Sequence, residues 1–153
     1  MTAGQWVLLG CVVVVVALAA YRLGTDGRFR GTHRLPGGPV PTPGTAPITT
    51  AAEVLTGVGV AVPLGERATL LQFSSAFCAP CRATRRVLGE VARLVPGVSH
   101  VEVDAEQHLE AVRALQVLRT PTTLVLDASG REVSRASGLP ARDQVLAALA
   151  RVG

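Results

Sequence analysis

Thr69-Leu70-Leu71-Gln72-Phe73-Ser74-Ser75-Ala76-Phe77-Cys78-Ala79-Pro80-Cys81-Arg82-Ala83-Thr84-Arg85-Arg86-Val87-Leu88 carries the strongest structural signal in this 153-residue chain. Thr69 to Phe73 is a short apolar run of the kind found in buried strands. A helix follows from about Ala79 to Val95, with Val87, Leu88, Val91, Leu94 and Val95 recurring on one face. Pro96-Gly97 stops it. The cysteine pair therefore lies where a strand has ended and a helix begins. The first N–H groups of a helix are unpaired, and its dipole puts positive potential there. A thiolate at that point is stabilised. Cys78 is expected at the exposed mouth, with Cys81 one turn inward and within disulfide reach. Pro80 suits the helix start. Thiol–disulfide exchange needs this asymmetry: one exposed thiolate captures a partner sulfur, and a sheltered thiol releases it. The spacing assigns Cys78 as nucleophile and Cys81 as resolving residue. A purely structural disulfide is the competing reading, and placement at a helix mouth argues against it.

The same alternation continues downstream. Val98 to Val103 reads as the next strand. Asp104 and Gln107 form a cap-like pair for a helix carrying Leu109, Val112 and Leu115. Thr122 to Leu126 and Glu132 to Arg135 read as antiparallel strands joined at Asp127-Ala128-Ser129-Gly130. Pro140 suits the first turn of a last helix that buries Val145, Leu146, Leu149 and Val152. Upstream, Thr50 caps a short helix through Leu55. The order is β-α-β-α-β-β-α, preceded by a short αβ piece. It predicts an α/β three-layer sandwich over 48–153, a mixed central sheet with helices on both faces.

Two further segments precede this domain. Residues 1–23 hold the apolar run Trp6 to Leu23, whose first charge is Arg22. That length is at the short end of what spans a bilayer, and Trp6 and Tyr21 stand near its two ends. Nearly uniform apolarity disfavours a buried core helix. A cleaved signal peptide is the other alternative, because Ala17-Leu18-Ala19 resembles a small-residue cleavage site; against it, no Lys or Arg precedes the run. Arg22, Arg28, Arg30 and Arg34 follow it, opposed by one acid, Asp26. The positive-inside rule then places the domain in the cytoplasm, with an extracytoplasmic domain as the alternative. Residues 24–47 are rich in Gly, Pro and Thr and read as a tether.

Composition narrows the chemistry. The net charge of +4 is concentrated beside the apolar segment rather than on the domain, which favours a membrane surface and excludes a nucleic-acid binder. A zinc site needs about four ligands, and Cys78 and Cys81 are the only C-x-x-C. Cys11 sits inside the apolar run, and His33, His100 and His108 have no ligand spacing. Haem attachment needs His after the second cysteine, where Arg82 stands. No metal, flavin or nucleotide is implied.

The stretch from about Ala68 to Val152 resembles the thioredoxin family. Phe77-Cys78-Ala79-Pro80-Cys81 is similar to that family's Trp-Cys-Gly-Pro-Cys, and Thr120-Pro121-Thr122 to the segment carrying its cis-proline. Asp104 resembles the aspartate ending the third strand, and Gly130 and Gly138 sit where the family has turn glycines. The resemblance implies a membrane-anchored thiol–disulfide oxidoreductase acting on protein disulfides or dithiols and fed by another dithiol protein. Phe77, Ala79, Pro80, Thr120 and Pro121 would touch the substrate. Related alternatives are an extracytoplasmic protein for cytochrome maturation or disulfide handling, and a non-catalytic adaptor holding a membrane partner near Pro121. The departures are specific. The family's buried aspartate is Gln72 here, and its companion lysine is His100. Glutamine carries no titrating proton at neutral pH, so His100 is a candidate for proton handling, against the alternative of an ordinary strand-end histidine. Arg82, Arg85 and Arg86 either favour acidic partners or form a solvated helix face.

Overall fold

A computed structural model describes residues 3–25, 27–31 and 50–152. Helix α1 spans Ala3–Thr25, strand β1 Arg30–Gly31 and helix α2 Ala51–Gly57. Then follow β2 Ala68–Ser74, α3 Ala79–Leu94, β3 Val98–Asp104, α4 Leu109–Ala114, β4 Thr122–Asp127, β5 Glu132–Ser137 and α5 Arg142–Leu149. The sheet order is β1-β5-β4-β2-β3. β2 and β3 are parallel, and the other pairings are antiparallel.

Strand alternation sorts the side chains of this mixed sheet into two cores. Leu71 and Phe73 of β2 join Leu124 and Leu126 of β4 beneath Leu55 of α2 and Ala111 of α4. Ala68 and Leu70 point the other way, with Val125, onto Leu88 and Val91 of α3 and Val145, Ala148 and Leu149 of α5. Helices therefore cover both faces, as the alternating pattern predicts. α2 starts at a capping box: Thr50 Oγ1 accepts from the Glu53 N–H, and Glu53 Oε2 accepts from the Thr50 N–H. Between β4 and β5, Asp127 Oδ1 accepts from the N–H groups of Ser129 and Arg131, and Gly130 adopts a φ of +78° that favours glycine.

Four expectations are corrected. Leu94 was expected in the core but is 57% exposed, because it lies in the last turn of α3. Asp104 and Gln107 bond to each other, and Asp104 Oδ1 also takes the Glu106 N–H, but the pair closes the turn after β3. α4 itself begins at Leu109 without a side-chain cap. Pro140 stands just before the N-cap Ala141 rather than inside α5, and Gln144 Oε1 accepts the Ala141 N–H.

The fourth correction concerns the N-terminal connection. No strand forms between α2 and β2 among the described residues; the additional strand is β1, which precedes α2. Arg30 and Gly31 pair with Arg135 and Ser134 of β5. Phe29 packs onto the core shared by α3 and α5, and the Gly27 N–H donates to Ser137 O over 2.8 Å. Composition alone reads these residues as tether. One aromatic side chain and free backbone groups on the β5 edge suffice to attach them. The remaining tether expectation, residues 32–47, lies outside the described residues, as do His33 and Arg34.

Helix α1 is long and apolar enough to cross a membrane over Gly4–Arg22. Its large apolar side chains from Trp6 to Tyr21 are exposed. A signal sequence has the same character.

Candidate active site

β2 delivers the chain to the site, and α3 receives it. Cys78 is the N-cap residue of α3, with extended backbone. Its Sγ accepts the Cys81 N–H over 3.1 Å, as the oxygen of a serine or aspartate cap would. The sulfur thus occupies the point where unpaired helix N–H groups converge. Cys78 and Cys81 are joined by a disulfide, with Cα atoms 5.2 Å apart. Cys78 is half-buried, whereas Cys81 is 2% exposed. Cys78 is thus the more accessible residue of the pair, although half-buried rather than exposed as the sequence reading expects.

The surroundings are built from three segments, around Phe77, Thr120 and Gly138. Phe77 is 97% exposed, and Ala79 and Pro80 are exposed beside it. The Thr120–Pro121 peptide bond is cis. Ser75 links this loop to the cysteines: its Oγ lies 3.3 Å from Thr120 Oγ1, and its carbonyl accepts the Cys78 N–H. Pro121 is buried, and its carbonyl accepts the Gly138 N–H over 2.7 Å. Both Gly130 and Gly138 have positive φ.

Gln72 is fully buried beneath the disulfide. Its Nε2 donates to Cys81 O over 3.0 Å, and its Oε1 lies 3.2 Å from His100 Nε2. An amide oxygen only accepts, so His100 Nε2 carries the proton and Nδ1 is the basic nitrogen. His100 is therefore no loose strand-end side chain. Burial pushes its pKa down, the charge of Glu102 opposes that, and Arg85 adds to it.

A cleft of about 400 Å³ beside the cysteines is lined by Ser74, Arg82, Arg85, Glu102 and Asp104, among others. Glu102 was not singled out by sequence. It faces the site because β2 and β3 run in parallel register, with Gln72 opposite Glu102, and because His100 and Glu102 share a face of β3. Ser74 Oγ and Arg85 Nη2 both donate to Glu102 Oε1. Burial alone would raise the Glu102 pKa; the bonds from Arg85 and Ser74, with the charges of Arg85 and His100, hold it below the ordinary carboxylate value. Arg85 is thus committed to Glu102, Arg82 lines the cleft, and Arg86 is exposed outside it. The alternatives for the three arginines separate accordingly. Cys11 is distant in sequence and exposed on α1. Among the described residues, no three His, Cys, Asp or Glu side chains come together as a metal site.

Known proteins match this arrangement. A family model described as a thioredoxin-like domain matches residues 59–153. A thioredoxin of Chlamydia trachomatis is 31% identical over 77 residues, covering 50% of this chain and 74% of that protein. Thioredoxin H-type 1 of Nicotiana tabacum is 29% identical over 73 residues, covering 48% of this chain and 57% of its own length. Among solved structures, Fasciola hepatica thioredoxin superposes with a TM-score of 0.53 at 25% identity, covering 69% of this chain and 97% of that one. A thioredoxin of Nicotiana alata shares the fold at a TM-score of 0.51 and 22% identity, covering 57% and 74% of the two chains. With a cysteine pair at disulfide distance on a helix mouth, the chain belongs to the thioredoxin family and is a thiol–disulfide oxidoreductase.

Proposed function

We propose that this chain is a membrane-anchored oxidoreductase that exchanges electrons with cysteine pairs of protein partners, with Cys78 as nucleophile and Cys81 as resolving residue. One observation carries the assignment: the Cys78 sulfur caps α3 and accepts the Cys81 N–H, while Cys81 is shut away behind it. In the reducing direction, the Cys78 thiolate attacks a substrate disulfide. A Cys78–substrate bond forms, the substrate S–S bond breaks, and the second substrate sulfur leaves as a thiolate that takes a proton from solvent. Cys81 then gives up its proton and attacks Cys78 Sγ. The Cys78–Cys81 bond forms, and the first substrate sulfur leaves as a thiolate. Two electrons have passed to the substrate, and an external dithiol protein returns them by the same steps. Phe77, Ala79, Pro80, Thr120 and Pro121 form the rim that meets the substrate backbone.

Helix α1 holds the domain at a bilayer, and Arg22, Arg28, Arg30 and Arg34 favour the cytoplasmic side. Insulin reduction with dithiothreitol tests the chemistry. The full chain should exceed the background rate, and Cys78→Ser should return it to background. Cys81→Ser should accumulate a mixed disulfide. A full-chain rate no higher than background would leave only an adaptor. Labelling Cys78 with a membrane-impermeant maleimide in intact cells tests the side. Labelling without lysis would place the domain outside.

A further inference from the structure

The path from α1 into the sheet is short, and it arrives at a particular end. Arg22 is the first charge after the apolar run. At ~1.5 Å per helical residue to Thr25 and at most ~3.8 Å per further Cα step, Gly27 lies no more than about 12 Å beyond it. Gly27 is already part of the domain. Its N–H donates to Ser137 O, and a Cβ built on it would collide with Leu139 O, so the chain fits tightly there.

Ser137 ends β5. That end of the sheet is also where β2 finishes and β4 begins, and so where Cys78 and Pro121 sit. The connection is direct. Ser137 O accepts from both Gly27 and Arg119 Nη2, and the next residue, Gly138, donates to Pro121 O. In the sheet order β1-β5-β4-β2-β3, β1 and β2 are three strand spacings apart, or roughly 14 Å. The headgroup layer on each side of a bilayer is about 5–8 Å thick. The opposite end of β2, near Glu66, is a further ~20 Å away along a strand of this length. The end nearest the anchor also carries Leu118, which is 94% exposed, as well as Phe77.

We propose that α1 ties the redox end of the sheet to the membrane surface, so that Cys78 works at the level of the lipid headgroups on a cysteine pair presented there by a membrane-embedded protein. This rests on the anchored-oxidoreductase reading and narrows its substrate class. A disulfide carried far from the bilayer is out of reach, whereas one at the mouth of a membrane protein lies in the plane that Cys78 sweeps. The partner's surface facing Phe77 and Leu118 should be apolar, so that it covers both side chains.

Depth-dependent quenching tests it. The full chain with Cys11→Ser and Cys81→Ser is labelled at Cys78 with an environment-sensitive fluorophore in phosphatidylcholine vesicles containing headgroup-nitroxide lipid. A second chain carries the same label at Glu66→Cys, with Cys11, Cys78 and Cys81 all changed to Ser. Quenching should be several-fold greater at position 78 than at position 66. A long Gly-Ser insertion after Thr25 should erase that difference. Equal quenching at both positions, or a difference that survives the insertion, would overturn the proposal while leaving the anchor intact. Failure of the full chain to float with the vesicles would overturn the anchored reading and this proposal together.

Discussion

Gln72 and His100 form a polar pair beneath the redox site. A buried glutamine holds the Cys81 carbonyl with one end and His100 with the other. Removing the imidazole leaves the Gln72 oxygen buried without its partner, which costs about 1–3 kcal/mol. His100→Ala should lower the urea-unfolding free energy by that amount, and His100→Gln should recover part of it. If His100 also handles the proton of Cys81, the pH–rate profile of insulin reduction will shift in His100→Ala. An unchanged profile would restrict it to a structural role.

The two titrating neighbours also contribute to the acid dependence of stability. The His100 pKa is lowered from an ordinary 6.5, so the unfolded chain binds its proton first. Its contribution is complete above about 6.5 and is lost as pH falls towards the folded value. The Glu102 pKa is lowered from 4.5, so its contribution is lost in a second window below that. Urea midpoints measured against pH should fall in both windows. His100→Gln should flatten the first, and Glu102→Gln the second. A midpoint that rises on acidification through 6.5 would contradict a partly buried imidazole with a lowered pKa.

Among the elements, those with a local signal were legible and those made by distant pairing were not. Leu88 and Val91 identify the inner face of α3 by their spacing, and both are fully buried. Leu88→Ala should therefore cost about 2–5 kcal/mol in chemical denaturation. Thr50 announces α2 by its own chemistry, and the structure adds Glu53 to the cap; Thr50→Ala should cost ~0.5–2 kcal/mol. β1 is different. The pair Arg30–Gly31 carries no strand pattern, and the open edge of β5 makes it a strand. Glu102 escaped notice for a related reason. Its role depends on the register that sets it opposite Gln72, and no local motif encodes register.

The molecule as a whole combines a thioredoxin-like domain with an apolar helix that joins it at the redox end. Cys78 and Cys81 were readable because a thiol pair at a strand–helix junction has few other uses. The attachment of residues 27–31 was not, since glycine-rich composition describes freedom in the unfolded chain and not what a nearby sheet edge captures. On the proposed reading, access to Cys78 is set by the anchor as well as by the cleft.

The chemistry throughout depends on α3 stabilising the Cys78 sulfur as an anion. The direct measurement is the pH dependence of iodoacetamide alkylation at Cys78 in the full chain carrying Cys11→Ser and Cys81→Ser. The rate should rise through a midpoint clearly below that of a free cysteine, about 8.5. A midpoint at or above that value would show that the helix mouth does not activate the residue, and would contradict the account.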